Sequence, residues 1–241
     1  MNRLGRSCVL LGMGVLTLRL ILTDEFGWFV QQRMRLPLLA AAVTLLLLGV
    51  AECLTAFRDV KRDDKALERR VGPLVGWLLI LPGVVLMAVA PTGLSSAAVD
   101  RLDALVPAES DSEFVPLVET AAPTKMRVYD FIDRAVWDDT KSLDGVRVEL
   151  EGLVVNDDRI PDGFRLTRFL VSCCAADGIP MQIGVHQVDQ RFANDTWVRV
   201  VGTWRPPSAI EYDLSKPVLV ELDVESIEVL TDPRSPYESA W

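Results

Sequence analysis

From Leu36 to Phe57 the chain runs for 22 residues with a single charge, Glu52. A stretch of that length and polarity crosses ~30 Å of hydrocarbon as an α-helix. In lipid a helix also satisfies its own backbone hydrogen bonds, which few other structures can do. A second stretch, Pro73–Thr92, carries no charge, and Pro82 within it predicts a kink of the kind membrane helices tolerate. A third is less regular. Its apolar run from Cys8 to Leu18 is interrupted by Arg19, resumes through Leu22, and is followed by Phe26–Val30. These features predict a membrane domain over residues 1–95, with about three helices at 4–30, 36–57 and 73–92. Arg3 and Arg6 ahead of an apolar run also fit a signal peptide. No small-x-small cleavage site follows, however, and another hydrophobic hairpin comes directly after, so the first segment is expected to be retained.

Charge separates the two halves of the chain. Residues 1–100 hold 11 Lys and Arg against 8 Asp and Glu, a net of +3, whereas residues 101–241 hold 14 against 26, a net of −12. The loop between the second and third apolar stretches carries Arg58, Lys61, Arg62, Lys65, Arg69 and Arg70, whereas the preceding loop carries only Arg33 and Arg35. The positive-inside rule then places the N-terminus in the cytoplasm and the C-terminal domain outside. Arg101 is the first basic residue after the third stretch, which agrees. An acidic domain repels phosphate backbones, so nucleic acid is not an expected partner.

Two ionisable residues fall inside the apolar stretches. At 1.5 Å per residue, Arg19 lies about 22 Å outward from Leu4, while Glu52 lies ~8 Å from the inner end at Phe57. That difference in depth argues against a direct pair. Arg19 is expected to reach the outer interface, and Glu52 to hydrogen-bond at the inner interface or to meet a polar partner in another subunit. Trp28 and Trp77 are expected to be interface anchors.

Residues 96–124, rich in Ala, Pro, Ser and acids, have little periodicity and are expected to act as a tether. Beyond them, Val128, Phe131, Ile132, Ala135 and Val136 recur at helical spacing and predict one short amphipathic helix ending near Asp139. Alternation over Val146–Val154 marks a half-buried strand. Asn156–Gly163 is a turn, and Phe164–Cys174 is a second strand whose apolar phase shifts between Leu166 and Phe169, which predicts a bulge near Thr167–Arg168. Met181–Val188, Trp197–Trp204 and Pro217–Val229 complete about five strands. The expected fold is therefore membrane-anchored, with N-terminal α-helices and a mostly-β domain at 125–232. A small five-stranded barrel of the oligonucleotide/oligosaccharide-binding type with a short helix is the best match, and residues 233–241 form a tail.

The string Phe164–Pro180, FRLTRFLVSCCAADGIP, resembles a bacterial membrane-protein family, the YcgQ-like permease-subunit family. Flanking segments join the resemblance: Gly145–Gly152, Trp197–Gly202 and Pro233–Tyr237. Its specificity resides in Arg168, Phe169, Cys173, Cys174, Ala176 and Asp177. Gly178 departs from the pattern, standing where Ala or a similar residue is usual, and the third apolar stretch exceeds the two-helix form associated with the family. The resemblance implies a multi-spanning permease as partner.

Cys173 and Cys174 are the only thiols of the soluble domain. Cys8 and Cys53 lie in the apolar segments. Consecutive strand residues point to opposite faces, so a turn at Ala175–Gly178 is needed before both thiols, Asp177 and His186 (the only histidine) serve one site. Three readings are open. The thiolates with Asp177 or His186 bind zinc or copper; the thiols form a vicinal disulfide or sense redox state; or one Cys packs in the core while Asp177 caps backbone amides. No Gly-rich phosphate loop, HExxH or GxSxG is present, and an enzyme is not expected. The leading expectation is an accessory subunit of a membrane permease complex, lying in the bacterial cell membrane in contact with lipid. The alternative is a stand-alone, membrane-anchored metal-binding or thiol-redox protein.

Overall fold

A computed structural model describes residues 3–23, 25–62, 94–99, 107–108, 114–118, 120–206, 219–231 and 237–239. The chain divides into two compact units, Met1–Gly93 and Leu94–Trp241.

The first unit is a helix hairpin. Helix α1 spans Arg3–Leu22 and α2 spans Arg35–Arg62, joined through 3-10 turns at Glu25–Trp28 and Gln32–Met34. Each helix offers a glycine to a leucine of the other. A Cβ on Gly14 would lie 2.8 Å from Leu46 Cγ, and one on Gly49 would lie 2.8 Å from Leu11 Cγ. The Ser7 hydroxyl donates to the Gly49 carbonyl at 2.9 Å. Small residues at a seam let two backbones approach, which is how helices associate without a hydrophobic drive between them. Many leucines look outward, among them Leu36 at 76 % exposed and Leu22 at 69 %. Hydroxyls of Thr17, Thr23, Thr44 and Thr55 donate back to carbonyls three or four residues earlier in their own helices, so they need no water. Both helices are long and apolar enough to cross a membrane.

The sequence-based boundaries differ here. The first helix stops at Leu22 rather than continuing to residue 30, because the chain turns back at Glu25–Trp28 and buries Phe26 completely. The second continues past Phe57 to Arg62, where hydropathy no longer marks a helix although the backbone sustains one. The expected helix at 73–92 lies outside the described residues.

The second unit is built on a seven-stranded mixed sheet. Its elements are the short helix α3 (Ser96–Val99), β1 (Thr124–Lys125), helix α4 (Val128–Trp137), β2 (Arg147–Val155), β3 (Phe164–Val171), β4 (Ile179–His186), β5 (Trp197–Arg205), β6 (Val220–Val229) and β7 (Tyr237–Ser239). The strand order is β1-β2-β5-β6-β4-β3-β7, and β2 also pairs with β3. Strand β2 meets β5 antiparallel from Arg147↔Thr203 to Leu153↔Trp197, and its far end meets β3 antiparallel at Leu153↔Thr167 to Val155↔Arg165. Before that end, β1 takes the same edge of β2 at Val148 and Glu149.

Apolar periodicity explains the packing. Strand β5 alternates without a break, burying Val198, Val200, Gly202 and Trp204. Helix α4 buries Val128, Phe131, Ile132 and Ala135 on one stripe, and these join Leu150, Phe164, Leu166, Met181, Ile183 and Leu222 in the main core. A second cluster gathers Val99, Leu153, Val155, Phe169, Val171 and Tyr237. The phase shift in β3 therefore has a different cause from the bulge the sequence predicts. The β3–β4 register runs unbroken from Phe164↔Val185 to Leu170↔Ile179. Phe164 and Leu166 enter the main core, and Phe169 and Val171 enter the second from the opposite face. The register does shift between β5 and β6, where Val201 faces Ser226 and Gly202 faces Val224, leaving Glu225 of β6 as the extra residue. There a Cβ on residue 202 would lie 2.2 Å from the Asp223 carbonyl oxygen.

Two further segments depart from expectation. Where described, the tether is docked on the β domain. Ser96 donates its N–H and hydroxyl to Asp195, and the Pro107 carbonyl accepts from Trp137 Nε1 at 2.7 Å. Residues 237–239, expected in a tail, form β7 parallel to the end of β3. From β7, Glu238 reaches the start of α4 and accepts the N–H groups of Val128 at 2.8 Å and Tyr129 at 3.1 Å. Helix N-termini carry such orphan donors, which hydropathy cannot assign to a partner.

Burial pushes the Glu238 carboxyl above its usual range, against the pull of the Tyr129 and Val128 N–H groups, Arg168 and Arg127. Glu238→Ala is expected to destabilise the β domain by about 2–4 kcal/mol, since it orphans two buried donors and strips a partner from Arg168. Glu238→Gln, which keeps a carbonyl acceptor, should cost roughly half of that. Urea unfolding of the full chain in mild detergent measures both, and an Ala variant as stable as the parent would contradict this role.

Candidate thiol site

The site is assembled at the end of β3. Arg168 is 7 % exposed, its Nε 3.9 Å from Glu238 Oε1 and its Cζ 4.9 Å from the centre of the Trp197 ring. Burial lowers its pKa, offset in part by Glu238 and Glu151. Phe169, 1 % exposed, lies in register with Tyr237. These two motif residues pin the strand just before it ends at Val171. The chain then leaves the sheet, passes through Ser172–Cys174, makes a 3-10 turn over Ala175–Asp177, and re-enters as β4.

The Asp177 carboxylate organises that loop. Oδ1 accepts the Ser172 N–H at 2.9 Å, and Oδ2 accepts those of Cys173 at 2.8 Å and Cys174 at 3.4 Å. The backbone returns the contact, with Asp177 N–H donating to the Cys174 carbonyl at 3.0 Å. Because the chain has left the strand, the two side chains do not diverge. The sulfurs lie 3.6 Å apart as free thiols, and both thiols and an Asp177 oxygen lie within 4.8 Å of one another. Cys173 is exposed, while Cys174 and Asp177 are half-buried. Ala176 points to solvent, and Gly178 is buried where a Cβ would lie 2.3 Å from Leu94 Cδ1.

The electrostatics follow from the carboxylate. Burial alone would raise Asp177, but hydrogen bonds from the Cys173 thiol and from the N–H groups of Cys173, Ser172 and Cys174 hold it below the usual carboxylate range. The same hydrogen bond to Asp177, followed by the contact with Cys174, pushes the Cys173 thiol up to about 11.

The remaining candidates fall elsewhere. His186 does not join the thiols. It sits at the far end of β4, seven residues beyond Ile179 and hence roughly 23 Å along the strand. There its Nδ1 lies 3.0 Å from Asp162 Oδ1 and its Nε2 lies 3.5 Å from Glu221 Oε1. Arg19 is exposed and Glu52 half-buried in the helix hairpin. Two contributors escape sequence reasoning. Ser172 acts through its backbone N–H, which any residue could supply, and Glu238 lies in a segment too short for periodicity to mark.

Fold and site together define a helix hairpin joined to a mixed-sheet β domain that presents two adjacent thiols and a carboxylate on one loop. The β domain is similar to the DUF1980 C-terminal domain, whose family model matches residues 126–238. The match begins just before α4 and ends on the glutamate that caps it. No curated protein and no solved structure matches the chain.

An exposed thiol raised to about 11 is almost wholly protonated at pH 8. Alkylation of Cys173 by iodoacetamide is therefore expected to be slow despite its exposure, and to accelerate as pH rises toward 11. Asp177→Asn should speed labelling at pH 8 by up to about a hundredfold as the thiol returns toward 9. Time-resolved mass spectrometry of the labelled peptide measures this, and a rate indifferent to Asp177→Asn would contradict the assignment.

Proposed function

We propose that this chain is the membrane-anchored accessory subunit of a permease complex, a YcgQ-like protein whose β domain docks on a multi-spanning permease or captures its solute. The observation that carries the reading is the joining, in one chain, of two components. One is a hairpin of two helices, each long and apolar enough to cross a membrane, with leucines such as Leu22, Leu36 and Leu47 turned outward. The other is a folded domain whose donor groups converge on a single surface loop. An outward apolar surface of that extent calls for lipid or for partner helices. Glu52, an ionisable side chain within a span, favours a polar partner there.

The strand pairings support a barrel. Strands β2, β5, β6, β4 and β3 pair in a ring that returns to β2, with β4 and β6 parallel and the other pairs antiparallel. This is the connectivity of a small five-stranded barrel of the oligonucleotide/oligosaccharide-binding type, here with α4 and β7 packed against it. The basic loop after α2 keeps the N-terminus in the cytoplasm of a bacterial cell and the β domain outside. A stand-alone metal-binding or thiol-redox protein is the second reading, favoured by the convergence of Cys173, Cys174 and Asp177.

Affinity purification of the tagged full chain from native membranes in mild detergent separates the two. The subunit reading predicts a polytopic permease recovered near one-to-one. Recovery of the chain alone, even after crosslinking, would leave the stand-alone protein.

A further inference from the structure

The spacing of the two sulfurs distinguishes among metal ions. Zinc–thiolate bonds are about 2.3 Å long, and two of them at a tetrahedral angle hold their sulfurs ~3.8 Å apart. Cys173 and Cys174 hold theirs at 3.6 Å. A linear pair of bonds of that length, as a two-coordinate copper(I) would require, needs about 4.6 Å. The pair is thus preset for a tetrahedral ion, and the carboxylate lies within 4.8 Å of both sulfurs. Calcium and magnesium take six or more oxygen ligands, and this loop offers them one carboxylate.

Asp177 has room to serve. Oδ2 accepts from Cys173 and Cys174, but Oδ1 accepts one backbone bond, from Ser172, and a carboxylate oxygen has two lone-pair directions. The backbone of the loop is held by these bonds, and neither core cluster includes Cys173, Cys174 or Asp177. A metal on this loop would therefore join donors that lie outside both clusters. Three protein donors with one position open is the pattern of zinc sites that exchange a ligand, whereas structural sites close with four.

We infer that the loop Ser172–Gly178 is an exchangeable zinc site, with the Cys173 and Cys174 thiolates and one Asp177 oxygen as ligands and a fourth position open to water or to a donor from a partner. This rests on the accessory-subunit reading and names its solute class, a borderline-soft divalent cation. Binding one Zn²⁺ breaks two S–H bonds, forms two Zn–S bonds and one Zn–O bond, and releases two protons to solvent. The occupied loop carries a net charge of −1, with no change of oxidation state.

The test uses the purified full chain in mild detergent, reduced, titrated with zinc alone against a chromophoric chelator. One zinc per chain is expected. Cys173→Ser with Cys174→Ser should lose affinity by a hundredfold or more, and Asp177→Asn by about tenfold. Cobalt in place of zinc should give a near-ultraviolet thiolate-to-metal band that disappears in the double variant. His186→Ala, at the far end of β4, should bind as the parent does. Less than stoichiometric zinc in the parent, retention of zinc by a folded double variant, or loss of zinc in His186→Ala would each overturn the assignment. The double variant is expected still to co-purify with the permease. A permease recovered with a chain that binds no zinc would remove the metal site alone. Zinc bound by a chain that recovers no partner would remove the subunit reading and leave the site.

Discussion

A carboxylate held at 7 % exposure, Glu238 of β7, accepts the first two N–H groups of α4 and lies beside the Arg168 guanidinium on β3. The interaction reaches three separate parts of the chain. It holds β7 against Phe169–Val171, where β2 no longer pairs with β3, and it ties the helix that plugs the main core to that same strand. Desolvating a carboxylate and a guanidinium is costly. The cost is borne because the helix N-terminus supplies donors that would otherwise be orphaned. Strand β3 is therefore paired on both edges at Phe169 and Leu170 and on one edge at Val171, and the thiol loop starts from a fixed point.

The motif Arg168-Phe169…Cys173-Cys174-Ala-Ala-Asp177 divides along these lines. Arg168 and Phe169 secure the strand, one through Glu238 and Trp197, the other through the second core cluster. Asp177 folds the loop back on its own backbone. The thiols are what remains for a ligand. The carboxylate that orders the loop through the Ser172, Cys173 and Cys174 N–H groups is also the third donor beside the two thiols, so the fold of the loop and the proposed zinc site draw on the same side chain. The hairpin supplies the complement: glycine–leucine contacts at the seam and apolar side chains outside.

Much of this was legible in the sequence, and the failures have physical reasons. Period-two alternation placed β2 through β6 to within a few residues, and the stripe Val128, Phe131, Ile132, Ala135 placed α4. Hydropathy reports that a residue is buried but not against what, so the crossing of β3 from one core cluster to the other looked like a bulge at Thr167–Arg168. Residues 96–124 and 233–241 read as tether and tail because backbone pairing and single side-chain contacts, such as Ser96 with Asp195, leave no periodic trace. Adjacency in sequence pointed to Cys173, Cys174 and Asp177, whose donor atoms lie within 4.8 Å of one another. Composition alone joined His186 to them, and an eight-residue strand separates it.

The central claim is that Asp177 and the two neighbouring thiols form one coordination sphere. X-ray absorption at the zinc edge, on the zinc-loaded full chain, tests it most directly. The account predicts a four-coordinate shell with two sulfurs at ~2.3 Å and oxygens at about 2.0–2.2 Å. A shell of oxygen and nitrogen alone, or one with four sulfurs drawn from two chains, would contradict it.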